Sequence, residues 1–164
     1  WKPIVAAVNG HCLGGGLCLM LGADIRVAGT GARFGLTEVR RGLIAGNGGT
    51  VRTAATLPRA LAMELLLLGD AIDADTALRW GLVNRVVAPD QVMPVAMDYA
   101  RRIAANAPLA VQAAKEVATR APSLDTASAL RLEQSLLRLL HDTEDRQEGT
   151  QAFAERRPPV FHGR

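Results

Sequence analysis

Three consecutive glycines, Gly14, Gly15 and Gly16, separate an apolar strand-like run at residues 4–8 from an apolar helix-like run that starts at Leu17. Glycine admits backbone conformations closed to other residues and lets a ligand approach the main chain closely. If a helix opens here, its first peptide N–H groups are unpaired and carry partial positive charge, so an electron-rich oxygen is welcome. A tight turn with no ligand is the competing reading. Glu38 closes the word Phe34-Gly-Leu-Thr-Glu38 and by itself reads as a solvated loop glutamate. Held near apolar walls, a carboxylate becomes a better proton carrier; in a solvated loop it would be ordinary. Cys12 and Cys18 are too few for a disulfide framework and lack metal-binding spacing. Cys18 reads as a buried, inert core residue, because His11, His141 and His162 form no recognisable dyad with it. Glu64 reads as a helix-surface ion-pair former, and Asp24 and Asp70 as braces for turns.

The elements that must carry these groups follow from the pattern. Residues 4–8 predict a buried strand, 15–22 a buried helix and 24–28 a second strand, with a brief extended piece at Arg33-Phe34. Residues 37–49 read as loop, with Gly42, Gly46, Gly48 and Gly49 close together. Helices are expected over 50–57 and 60–68, and over a short segment capped by Asp73 and stopped by Gly81. The last strand is expected at 83–87. Asp90 is expected to cap a helix to about Asn106, Pro108 to start another, and 124–140 to form a Leu-rich amphipathic helix. A charged helix over 142–156 and an extended tail from Pro158 complete the chain. The division is a partial α/β core at 1–89 and a helical region at 90–164.

Of the 164 residues 49% are apolar and 21% charged, the composition of a globular protein. Aromatics make up only 4%, so Ala, Leu and Val must build the core. No run reaches the roughly 18 apolar residues of a membrane span, and Trp1-Lys2-Pro3 is not the start of a signal peptide. The two free thiols suit a reducing cytoplasm. A net charge of +3 with no dense basic block argues against nucleic acid as partner. Nucleotide binding is disfavoured, because the glycine run lacks the last glycine of GxGxxG and no GxxxxGK[ST] occurs.

In order along the chain, Lys2-Pro-Ile-Val-Ala-Ala-Val-Asn-Gly10, Leu13-Gly-Gly-Gly16, Ala23-Asp24, Phe34-Gly-Leu-Thr-Glu38, Gly46-Asn-Gly-Gly49, Leu68-Gly-Asp70, Trp80-Gly-Leu-Val83 and Asp145-Arg-Gln-Glu-Gly149 resemble the enoyl-CoA hydratase/isomerase (crotonase) superfamily. The resemblance covers essentially the whole chain and matches the C-terminal portion of a typical member. It implies an α/β spiral of ββα units, here N-terminally truncated, with a C-terminal helical trimerisation region. It further implies an acyl-CoA thioester as substrate in fatty-acyl-CoA metabolism, no cofactor beyond the coenzyme A carried by that substrate, and a homotrimer or hexamer.

By that resemblance Gly15 supplies one backbone N–H of an oxyanion hole for a thioester enolate. The second donor is expected in a segment preceding Trp1. Glu38 matches the second of two catalytic glutamates, while Cys18 stands where the first is found. Gly14, Gly16, Cys18, Gly35 and Gly46 are expected to line the substrate site, and Phe153 and Arg156 to contact the coenzyme A. A thiol is a poor replacement for a carboxylate in holding a water. The substitution therefore favours isomerase-type transfer of a proton by one carboxylate, with enoyl-CoA hydratase and a non-catalytic acyl-CoA-binding relic as alternatives. Ala45 stands where the family often has proline.

Overall fold

The apolar word at residues 4–8 becomes β1 (Val5–Val8) in a computed structural model that describes residues 1–164. It pairs in parallel with β3 (Ile25–Gly29), which pairs in parallel with β6 (Arg85–Val87). A second sheet holds β2 (His11–Leu13) parallel to β4 (Arg33–Gly35), with β5 (Ile72–Asp73) antiparallel to β4. Val27 and Ala28 of β3 are fully buried, as expected of the central strand of a parallel sheet. β2 and β5 have no counterpart in the sequence reading: strands of three and two residues are too short to show a period.

Helices α1 (Gly15–Met20) and α4 (Ala74–Arg79) pack on these strands, and α2 (Gly49–Thr56) packs between α1 and α3 (Arg59–Leu68). Leu17, Phe34, Leu36, Leu65 and Leu82 form the fully buried centre of one core cluster. Asp73 caps α4 by accepting from the Thr76 N–H at 2.8 Å, and Gly69 and Gly81 stop the helices before them with positive φ, as the sequence predicts. The Asp24 carboxylate accepts from the Ile4 N–H at 2.7 Å, which ties down the entry to β1. Arg26 joins distant segments. Its guanidinium donates to the carbonyls of Leu21, Ala23 and Leu82, and its own N–H donates to Asn84 Oδ1.

Two expectations fail locally. Residues Thr37–Arg41 are a 3-10 turn inside the segment expected to be loop. Asp90 is not a helix cap: Pro89–Gln91 forms its own 3-10 turn, Asp90 accepts from the Gln91 side chain, and α5 (Val92–Ala104) runs on from there. A proline followed by an acid reads as a cap in one dimension, but the proline's fixed φ favours the tighter turn first.

The chain divides into two compact units, residues 4–100 and residues 101–164 together with 1–3, so the division falls within α5. The second unit contains α6 (Pro108–Arg120), α7 (Thr126–His141) and α8 (Glu144–Glu155). Asp125 and Thr143 cap α7 and α8 through the N–H groups of Ser128 and Arg146. In this unit only Asp145 and Ala152 are buried. An apolar cleft of about 530 Å³ opens among Leu109, Leu137, Leu140, Phe153 and Phe161. The tail after α8 is clasped back on it: the buried Asp145 carboxylate accepts from the His162 and Gly163 N–H groups at 2.7 and 2.8 Å. Glu148 accepts from Arg157 and from the Val160 N–H. No helix is long and apolar enough to cross a membrane.

Candidate functional site

β2 ends at Leu13, opposite Gly35 of β4, and the ladder continues one step further as the Gly14 N–H donates to the Gly35 carbonyl at 2.8 Å. Gly14 then takes φ 51° and ψ −121°, a conformation open only to glycine, and the chain turns into α1. The first bond inside the helix runs from Cys18 N–H to the Gly14 carbonyl at 3.0 Å. Gly15 and Gly16, whose N–H groups precede that bond, are exposed residues. A Cβ placed on either glycine would meet nothing within 4 Å, so ligand atoms have open access to this backbone.

Glu38 arrives from the other strand. After β4 the buried Leu36 anchors the chain, and the 3-10 turn carries Glu38 back over Gly14. Its Oε1 lies 3.3 Å from where a Cβ of residue 14 would stand. Its Oε2 is buried and has no hydrogen-bond partner. Buried acceptors left unpaired are rare in folded chains and call for an explanation. The turn is held from behind: Arg40 donates to the Leu68 carbonyl at 3.2 Å and pairs with Asp70, while Val39 and Arg40 pack on Gly69. Gly35 is packed on Ala71, whose Cα would lie 3.1 Å from an added Cβ.

Cys18 is buried on α1 and faces Gly49, the first residue of α2. Its pKa is raised, first by burial and then by the negative charge of Glu38, while the Gly49 N–H pulls the other way. The thiol is therefore uncharged near neutral pH, in keeping with the inert reading. Cys12 is pushed up to about 11 by burial and by Cys18. Gly46 belongs to the bend that starts α2. Its carbonyl accepts from the Gly49 N–H at 2.8 Å, and the Ala45 carbonyl accepts from the Thr50 N–H and hydroxyl. Ala45 is 5% exposed and sits against Gly49, so the bend closes without proline.

Gly14, Gly15, Gly16, Cys18, Gly35 and Glu38 thus meet at one place, with Gly46 in the bend that packs on Cys18. Phe153 and Arg156 lie in the other unit. Phe153 is 87% exposed on α8, and Arg156 closes that helix in a left-handed conformation, φ 56°. Sequence reasoning passed over Gly49 as the seat of the thiol, although the Gly48-Gly49 pair was its visible sign. It also passed over Arg40, whose pairing with Asp70 nothing in the sequence announces. No group of three His, Cys, Asp or Glu residues could hold a metal. Chemically, exposed amides at a helix start beside an unpaired carboxylate can stabilise an oxygen that becomes anionic and move a proton on the adjoining carbon.

A family model described as enoyl-CoA hydratase/isomerase matches residues 1–164. The chain is 47% identical over 163 residues to (E)-benzylidenesuccinyl-CoA hydratase of Thauera aromatica, and 42% identical to 2,3-dehydroadipyl-CoA hydratase of Escherichia coli. In both comparisons 99% of the chain is matched, and it spans 64% of the relative's length. It superposes with a TM-score of 0.97 on the crystal structure of enoyl-CoA hydratase from Mycobacterium tuberculosis, at 41% identity, covering 99% of this chain and 65% of that one.

Proposed function

The chain belongs to the enoyl-CoA hydratase/isomerase family, and from that premise we propose that it stabilises the enolate of an acyl-CoA thioester and moves a proton with one carboxylate, Glu38. The thioester carbonyl is received by the Gly15 N–H. As the proton leaves C2, charge builds on that oxygen, where a preorganised donor is typically worth about 3 kcal/mol of barrier. Glu38 takes the proton from C2 of a 3-enoyl thioester and returns it at C4, which shifts the double bond to the 2-position. Isomerisation needs no second acid and no bound water, so Cys18 is no handicap.

The observation that carries this reading is the unpaired, buried Oε2 of Glu38, whose carboxylate lies against Gly14, the residue just before the exposed Gly15 and Gly16. A second reading, hydration of a 2-enoyl thioester, is favoured by the names of the two relatives, both of them hydratases. The proposal includes a homotrimer or hexamer built through the helical unit, supported by the absence of any buried side chain in α6 and α7. Phe153 and Arg156 are proposed to contact the coenzyme A portion.

Incubation with a 3-enoyl-CoA, followed by the absorbance of the conjugated product, is expected to show isomerisation. Glu38→Gln is expected to lower its rate about 10²- to 10⁴-fold. Hydration of crotonyl-CoA at ordinary enzyme rates overturns the isomerase preference in favour of the hydratase. Calorimetric binding of crotonyl-CoA with no turnover of either substrate selects a non-catalytic binder.

A further inference from the structure

We propose that Gly14 is a positioning residue for Glu38: the carboxylate rests against the space that the missing side chain would fill. The inference rests on Glu38 being the proton carrier and adds what sets that carboxylate's reach. An added Cβ at residue 14 would lie 3.3 Å from Oε1 and 3.8 Å from Cδ of Glu38, and nothing else comes within 4 Å. The Glu38 side chain accepts no hydrogen bond from the rest of the chain, and its Oε2 is buried. With no donor to orient it, the carboxylate owes its place to packing, and Gly14 forms one wall of that packing.

The wall is rigid. The Gly14 N–H is spent on the Gly35 carbonyl at 2.8 Å, and its own carbonyl accepts from the Cys18 N–H at 3.0 Å. β4 and α1 therefore hold this one residue from both sides. The same N–H is thereby withdrawn from ligand binding, so the contribution of Gly14 is one of shape. Proton transfer requires the base within hydrogen-bond reach of the carbon-bound proton. A displacement of about 1 Å can cost about 10²-fold in rate.

A glycine demanded only by its backbone angles would behave differently. The strain of a side chain at φ 51° is the same whatever stands at position 38, whereas the wall matters only when a carboxylate leans on it. The test is a double-mutant cycle of Gly14→Ala and Glu38→Ala, read by 3-enoyl-CoA turnover and by urea unfolding. Gly14→Ala is expected to lower kcat about threefold or more with KM within about twofold. Its stability cost is expected to be smaller in the Glu38→Ala background.

Unchanged turnover in Glu38→Ala sinks the proton-carrier reading itself. Loss of turnover in Glu38→Ala, with a folded Gly14→Ala that keeps its kcat or costs the same stability in both backgrounds, sinks only the positioning role. Should Gly14→Ala not fold, Glu38→Asp decides, because it withdraws the carboxylate from the wall by one methylene and leaves the turn alone. A fall in kcat of about tenfold or more at constant KM supports the proposal, and an unchanged kcat overturns it.

Discussion

Gly49 sets the first residue of α2 directly against the thiol of Cys18 in α1. A Cβ at position 49 would enter the van der Waals envelope of Cys18 Sγ and lie 3.0 Å from the Ala45 Cβ. Both neighbours are buried and neither is the far end of a long flexible side chain, so the strain has no cheap exit. Gly49→Ala is expected to destabilise the chain by about 1–3 kcal/mol in urea unfolding. Combining it with Cys18→Ala should recover much of that loss, because the sulfur is the first obstacle. Equal costs in the two backgrounds would show that Ala45 and the backbone set the limit instead. That a helix opens at the glycine run could be expected from the sequence, because three glycines in a row are conspicuous. The Gly48-Gly49 pair was equally visible, but not what Gly49 faces, because its demand arises from a side chain 31 positions away.

At the scale of elements, the clasp between α8 and the tail responds to acid in a predictable direction. Hydrogen bonds from Arg157, then from the Val160 N–H, hold the Glu148 carboxyl down at about 2, against an ordinary 4.5. A group whose pKa is depressed in the docked form favours that form above its free value. The clasp is therefore at full strength above pH 4.5 and is lost as the pH falls from 4.5 towards 2. The amide resonance of Val160, followed by NMR over that range, should move towards a free-chain position, and Glu148→Gln should abolish the pH response. The helices that frame this clasp were legible in the sequence: Pro108 at N1 of α6 and the Leu pattern of α7 both appear where expected. The clasp was not, because Asp145 and Glu148 look like any acids on a charged helix. The short strands β2 and β5 escaped for a related reason, since their partners and not their patterns make them strands.

For the whole molecule, order of motifs told more than any single word. The enoyl-CoA hydratase/isomerase assignment rests on words spread from Lys2 to Gly149, and the family match extends over residues 1–164. What no word announced is how the end of α1 is tied to the segment that leads into β6. Arg26 reaches the carbonyls of Leu21 and Ala23 on one side and of Leu82 on the other, across 56 positions of sequence. A lysine cannot copy a planar fork of donors. Arg26→Lys, which strands carbonyls in a partly buried place, is expected to cost roughly 1–3 kcal/mol in thermal or urea unfolding. Such a latch makes the end of α1 and the approach to β6 one thermodynamic unit. If the segment around Leu82 frays, the end of α1 loses its anchor in the same event. Damage near residue 82 is thus felt at the glycine run that α1 begins with, although no atom there has been touched.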